Sequence, residues 1–264
     1  MRARWLLNLL LLLVVVGLTA LAYLRPGLDT GETADTLSQR LPEQIQQLQI
    51  ERPGRDVITI ARIVDGWQLT APITLPANRF RIEPLLQLAR AVKHSSFAVI
   101  DDALAQYGLA EPAVWLSIDS ERYAFGGLEP LNGYRYVMHA GQVHLLSDRI
   151  YHYLLMSPYD FVSPQLLPPA VELVEVRVAT HELRDGLQLE GWREMQARRV
   201  SAYSEFVDDA EQLVFVLSDE TLLQVDILQR EPEFVLGVRE RQVRYHFTEA
   251  AGEQLMQLLE GDDA

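Results

Sequence analysis

The sequence predicts an α+β fold: antiparallel strand meanders with packed helices, preceded by one N-terminal transmembrane helix. Three observations predict it. An apolar run from Trp5 through Leu24, interrupted only by Asn8, Gly17 and Thr19, opens the chain. From Ile45 to Phe247, short alternating apolar segments recur between Gly, Asp, Asn and Pro turns. Leucine-rich stretches with helical spacing follow sets of these strands instead of alternating with them one by one.

The opening run holds 20 residues, which at ~1.5 Å rise span roughly 30 Å, the thickness of a bilayer's hydrocarbon core. A helix satisfies its own backbone hydrogen bonds, as lipid requires. Arg2 and Arg4 precede the run; Arg25-Pro26 closes it and acidic Asp29, Glu32 and Asp35 follow. The excess of positive charge at the short end predicts a cytoplasmic N-terminus, with residues 1–25 as the transmembrane anchor and residues 26–264 on the far side. In a bacterium that is a single-pass protein of the inner (cytoplasmic) membrane with a periplasmic C-terminal domain. The competing reading is a signal peptide cut after Ala22, because Ala20-Leu21-Ala22 has the small-x-small form. The run is longer than a signal core of ~7–15 residues, which favours a retained anchor.

Without Arg2, Arg4 and Arg25, 20 basic residues face 37 acidic ones. A body that acidic repels phosphate backbones and anionic headgroups, so nucleic acid is excluded as a partner and residues 5–24 are the expected contact with the lipid bilayer. The chain has no cysteine, which excludes disulfides, thiolate catalysis and sulfur-ligated metals. Lys93 is the single lysine among 23 basic residues, and it precedes His94-Ser95-Ser96, read here as a solvated helix end.

Residues 26–42 read as a linker, 43–165 as a first α+β subdomain and 166–264 as a second. Leu48 and Ile50 alternate, Pro53-Gly54-Arg55-Asp56 turns the chain, and Ile58 and Ile60 alternate again. Asp65-Gly66 supplies a hairpin turn before Trp67 and Leu69. Leu85, Leu88, Ala89 and Val92 then form a helical stripe, with Pro84 in its first turn. Asp101 caps a short helix that Gly108 ends. Strands follow at Val114–Ile118, Tyr123–Phe125, Tyr134–Met138 and Gln142–Leu146, with Gly126-Gly127 among the turns between them, and a short helix lies near Asp148–Leu155. Prolines in Ser163–Pro169 mark the boundary.

Beyond it the opening theme recurs loosely: Val174 and Val176, a turn at Arg184-Asp185-Gly186, then Leu187, Leu189 and Trp192 as the returning strand. A hairpin around Asp219-Glu220, strands near Phe234–Val238 and Gln242–Phe247, and a helix capped by Thr248 complete the chain.

The segment Leu104-Ala-Gln-Tyr107-Gly108-Leu109-Ala-Glu-Pro112, with the upstream Gly66-Trp67-Gln-Leu and Pro72 and the Leu85-Leu86-x-Leu88 helix, resembles the bacterial family called domain of unknown function 4340. Phe125-Gly126-Gly127 and the strand Tyr134-Arg135-Tyr136-Val137 match its glycine-containing hairpin. The resemblance covers roughly residues 45–165. It implies an N-terminally anchored envelope protein, some relatives of which look like accessory parts of export or gliding systems. Its motif residues, Trp67, Tyr107, Gly108, Leu109 and Pro112, are turn and core positions.

Candidate chemistry is sparse. His139, His144 and His152 fall close together, but a zinc site needs a third or fourth ligand with outer support. His181-Glu182 shares two letters with the zinc-protease helix motif and lacks its second histidine. Asp101-Asp102 and Asp208-Asp209 are carboxylate pairs explained by capping and by a solvated loop. Arg239 and Arg241 alternate and suit pairing with glutamates. Trp67 and Trp192 suit core anchors. No catalytic set, cofactor or metal is expected. The leading expectation is an interaction or accessory module of the cell envelope with a protein partner, and association with a transporter complex is the form the resemblance implies. The alternative is a small-molecule or glycan binding module with an aromatic cleft at Tyr134, Tyr136, Tyr151 and Tyr153; a hydrolase ranks third.

Overall fold

The computed structural model describes residues 12–17, 19, 35–167, 171–178, 181–184 and 186–260. The expected membrane span at residues 5–24 lies mostly outside them; residues 12–17 and 19 are helical, and the Thr19 hydroxyl donates to the Val15 carbonyl at 2.7 Å. Among the described residues no helix is long and apolar enough to cross a membrane. The compact body is Thr36–Ala264.

The first part of the body runs β1 (Gln47–Glu51), β2 (Ile58–Ile63), β3 (Gly66–Ala71), β4 (Leu75–Pro76), helix α1 (Arg79–Leu88), β5 (Ser95–Ala98), β6 (Val114–Ile118), β7 (Glu121–Leu128), β8 (Tyr134–His139), β9 (Gln142–Ser147) and helix α2 (Tyr151–Leu154). The second runs β10 (Leu173–Val178), β11 (His181–Leu183), helix α3 (Gly186–Glu194), β12 (Arg199–Ala202), β13 (Glu211–Leu217), β14 (Leu222–Gln229), β15 (Phe234–Val238), β16 (Val243–Phe247) and helix α4 (Glu249–Glu260). The strands form two antiparallel sheets. One has the order β4-β3-β2-β1-β6-β7-β8-β9-β5, the other β11-β10-β13-β14-β15-β16-β12. Without the β3-β4 hairpin the two paths coincide, strand for strand, with a helix at the same two points of each.

Alternation builds the core. In β1, β2 and β6 every second residue is buried (Leu48, Ile50, Ile58, Ile60, Leu116, Ile118), and α1 adds Ile82, Leu85 and Leu86 at helical spacing. The same cluster takes in Val176, Leu213, Phe215, Val225, Leu236 and Tyr245 of the second sheet, so one core serves both. Each fully buried aliphatic side chain contributes about 1.5–3 kcal/mol.

Several expectations are corrected. The linker ends earlier than residue 42: Leu37 and Ser38 are buried, and their N–H groups donate to the Ala91 and Ala89 carbonyls. Pro84 sits inside α1, which Asn78 caps by accepting from the Phe80 N–H at 3.1 Å; the lost N–H removes one intrahelical bond. The β2–β3 turn is Val64-Asp65, one residue earlier, with Gly66 at φ 136 opening β3. His94-Ser95-Ser96 is no helix end: Ser95–Ala98 is an edge strand on β9, and its mostly exposed side chains left no alternation to read. Leu189 and Trp192 lie on α3, not on a strand. Their three-residue spacing is helical, and it buries both.

Gly126-Gly127 is not a turn. Both residues lie within β7, at a bulge where the pairing slips between Phe125–Val137 and Leu128–Arg135. The reason is a close backbone approach: the Gly127 N–H donates to the Tyr107 carbonyl at 2.8 Å. A Cβ on Gly126 would stand 2.3 Å from that carbonyl oxygen, and one on Gly108 2.9 Å from the Gly127 nitrogen. Gly108 also adopts φ +65. Leu109 thereby enters a small outer cluster with Ala124 and Val143, covered by Trp115, Tyr136 and Phe97. On the opposite face Arg135 donates to the Gly126 carbonyl at 2.5 Å and to Asp148. Pro112 is buried at the return to β6.

The start of the body is clamped by polar contacts. Ser38 and Tyr123 hydroxyls donate to Glu121 at 2.6 and 2.7 Å. Asp119 accepts from the Gln46 and Gln47 N–H groups, both at 2.9 Å, and from Arg40. Burial by itself would raise the Glu121 pKa, but the Ser38 and Tyr123 hydroxyls and the Arg40 charge lower it on balance.

Two outcomes are expected. Gly126→Ala should destabilise the body by about 1–3 kcal/mol, read as a lower urea midpoint, because the new methyl group meets backbone. Glu121 has a folded pKa below its unfolded value, so the unfolded chain takes up the proton first. Its stabilisation is full above about pH 5 and declines as the pH falls. Glu121→Gln should therefore lower stability at pH 7 and flatten the acid limb of a stability-against-pH curve.

Candidate functional site

The described residues enclose a cleft of about 660 Å³ where the β3–β4 end of the first sheet meets the chain leading to the second. One wall is Trp67. Its cross-strand partner is Arg62, whose guanidinium lies 4.6 Å over the indole. Arg62 is itself held, its Nε donating to the Ile45 carbonyl at 2.8 Å and Nη2 to the Pro42 carbonyl at 3.1 Å. The indole is therefore stiffened by a cation that cannot swing away without losing two hydrogen bonds.

The second wall is the start of α1. The Asn78 cap fixes the helix entry, and Phe80 stands 79% exposed beside Arg79. Ile63 joins them in lining the cleft, and the adjacent Val64 is fully exposed at the hairpin tip. The third wall is Ser163–Gln165 with Gln196. The Ser163 N–H donates to the Pro76 carbonyl at 2.8 Å, and Gln165 and Gln196 form a β-bridge. Glu43, Asp65 and Glu83 set carboxylates around the two arginines, so the rim carries both signs of charge.

The four tyrosines foreseen as a cleft are divided between the faces of the first sheet. Tyr134 and Tyr136 lie on the outer face: Tyr134 stacks on His94 at 4.0 Å and Tyr136 leans on Tyr107 at 4.8 Å. Tyr151 lies on the other face, with the Arg135 guanidinium 3.4 Å over its ring. Tyr153 packs against the main core beside His152. Strand parity decides this split, since Arg135 falls between Tyr134 and Tyr136.

The other candidates are also placed. The His139 ring lies on Tyr123 at 4.4 Å, with Nδ1 2.9 Å from the Arg122 carbonyl, whereas buried His144 meets the Ser96 hydroxyl at 2.8 Å. Among the described residues no group of three or more histidines and carboxylates is placed to hold a metal ion. His181-Glu182 lies on β11, and Asp208 and Asp209 are exposed. Arg241 donates to the Leu166 carbonyl at 2.7 Å. Arg239 pairs with Asp226 at 2.6 Å, and not with a glutamate. Asp226 is 1% exposed, and it also accepts from Tyr203 at 2.7 Å and Gln212 at 3.1 Å. Burial first, then that carboxylate, raises the Tyr203 pKa.

Sequence reasoning placed Trp67 beside a hairpin turn but missed Arg62 and Phe80. The hairpin register would have revealed the first, because Arg62 stands directly opposite Trp67. Nothing in the chain marks the second.

No curated protein and no solved structure matches the chain. A family model described as "Domain of unknown function (DUF4340)" matches residues 67–226, from the cleft tryptophan into β14 of the second sheet. That span exceeds half of the chain and carries the Tyr107-Gly108-Leu109 dock and its Gly126-Gly127 receiver, and the chain belongs to this family.

Proposed function

We propose that this chain is an accessory module of the bacterial cell envelope, tethered by its N-terminal apolar segment to the inner membrane, whose cleft receives a segment of another envelope protein. A transporter complex is the kind of assembly this reading has in view. The observation that carries it is the cleft itself. Trp67 is stiffened by Arg62, and Phe80 and Ile63 expose apolar surface beside it. Rigid aromatic anchors surrounded by polar groups are the composition of interface hot spots. The arginines before Trp5 and the acidic residues after Arg25 support the orientation.

The volume also falls within the range of small-molecule sites, roughly 300–1,000 Å³. A glycan reading therefore transfers from the tyrosines to Trp67, where an indole face and the side amides of Gln165 and Gln196 share the cleft.

A photo-crosslinking residue placed at Phe80 of the full chain in native membranes should give a discrete protein adduct, and one at Tyr134 should not. Trp67→Ala should reduce the adduct at least fivefold. Phe80→Ser should leave stability within about 0.5 kcal/mol, as an exposed site allows, while weakening capture. Absence of the adduct, with glycan binding that Trp67→Ala abolishes, would favour the second reading. The full chain should sediment with membranes and resist carbonate extraction.

A further inference from the structure

At the edge of the second sheet, two adjacent strands and the residue leading into a third set a serine, a histidine and a glutamate side by side. Ser201 on β12 has its Oγ 2.8 Å from Nε2 of His246 on β16. His246 Nδ1 lies 3.3 Å from a carboxylate oxygen of Glu233, the residue before β15. The imidazole is largely sheltered, with its side chain 12% exposed, and Glu233 is 38% exposed. Two cations flank the row. Arg199 lies opposite His246, with Nη2 3.0 Å from Nδ1 and 3.5 Å from Glu233. Arg244 lies opposite Ser201 and donates to the Glu205 carbonyl at 3.1 Å.

We infer that Ser201, His246 and Glu233 form an acyl-transfer site for esters that carry a carboxylate, and that Arg199 acts as its switch. The reading is independent of the cleft, which lies on other residues. A nucleophilic hydroxyl, a base within hydrogen-bond reach and a third group orienting that base are the arrangement acyl transfer needs.

In this reading Arg199 keeps the resting site quiet. A guanidinium only donates, so while Arg199 holds Nδ1 the ring proton sits on Nε2 and faces Ser201, the wrong tautomer for a base. An anionic substrate draws Arg199 away. Nδ1 then carries the proton and donates it to Glu233, and Nε2 accepts from the Ser201 hydroxyl. Burial first, then the Arg199 charge, lowers the His246 pKa, which keeps the imidazole neutral in the resting site.

In the reaction, Ser201 Oγ bonds to the ester carbonyl carbon as its proton passes to Nε2. The tetrahedral oxyanion forms on the face that carries Arg244. It collapses with cleavage of the bond to the alkoxide, which leaves as the alcohol with the proton from Nε2. Water then attacks the acyl-serine, gives a proton to Nε2, and the acid departs as the Ser201 hydroxyl is restored.

The test uses the full chain in detergent micelles, with an alkyl fluorophosphonate followed by intact-mass and peptide analysis. A covalent adduct on Ser201 is expected, slowed roughly 10²-fold or more by His246→Gln. Arg199→Ala should quicken labelling by this neutral probe. Wild-type protein should also cleave a p-nitrophenyl hemisuccinate faster than p-nitrophenyl acetate, a preference that Arg199→Ala removes. Lack of a Ser201 adduct on both the wild-type and the folded Arg199→Ala chains would overturn the proposal. So would labelling that folded His246→Gln and Glu233→Gln proteins, checked by circular dichroism, leave unchanged.

Discussion

Without cysteine, the body has no covalent brace, and the burial of one apolar core by two sheets must hold it together. That constraint runs through the whole architecture. Most of the described strands give one face to the core, because successive side chains point to opposite sides. The helices close that core: α3 and α4 approach so closely that a Cβ on Gly191 would sit 2.6 Å from Leu258, and Gly252 lies against Phe234 in the same way. What remains for chemistry is the outer faces, the sheet edges and the seam.

The outer faces are not left bare. On the first sheet the Tyr107-Gly108-Leu109 segment docks on the β7 bulge and covers a small apolar cluster. On the second, Tyr203 and Phe206 pack edge to face, and Tyr203 approaches Gly237 so closely that a Cβ there would stand 2.4 Å from the ring. Beneath them Asp226 is buried yet fully hydrogen-bonded, the condition under which a carboxylate tolerates burial. In both halves a segment leaving the edge strand, β5 or β12, folds over the sheet, and in both a glycine makes the approach feasible. The shared strand order gives this likeness a common topological cause.

The functional candidates occupy what those coverings leave open. The cleft uses the end of the first sheet, where the added β3–β4 hairpin extends past the path common to both. The Ser201–His246–Glu233 row uses the opposite kind of place, a short edge strand of the second sheet. Both depend on neighbours across strands: Arg62 opposite Trp67, and Arg199 opposite His246.

Alternation in segments such as Leu48-x-Ile50 and Val114-x-Leu116-x-Ile118 records burial directly, so local pattern in the sequence determined most of the strands, but not β4, β11 or β12. It also determined the α+β class, the Thr248-capped last helix, the acidic, cysteine-free character and the family, through Trp67 and Tyr107-Gly108-Leu109. It misread β5, α3 and Gly126-Gly127. Each of those obeys a contact with a distant part of the chain: β9 for the edge strand, the core for Trp192, the Tyr107 carbonyl for the glycines. Only the tertiary structure decided that the tyrosines part company, that Phe80 faces solvent beside Trp67, and that Ser201 meets His246. Residues 45 positions apart come within hydrogen-bond reach only through strand pairing, and register is set by the packing of whole faces, which no short stretch of sequence contains.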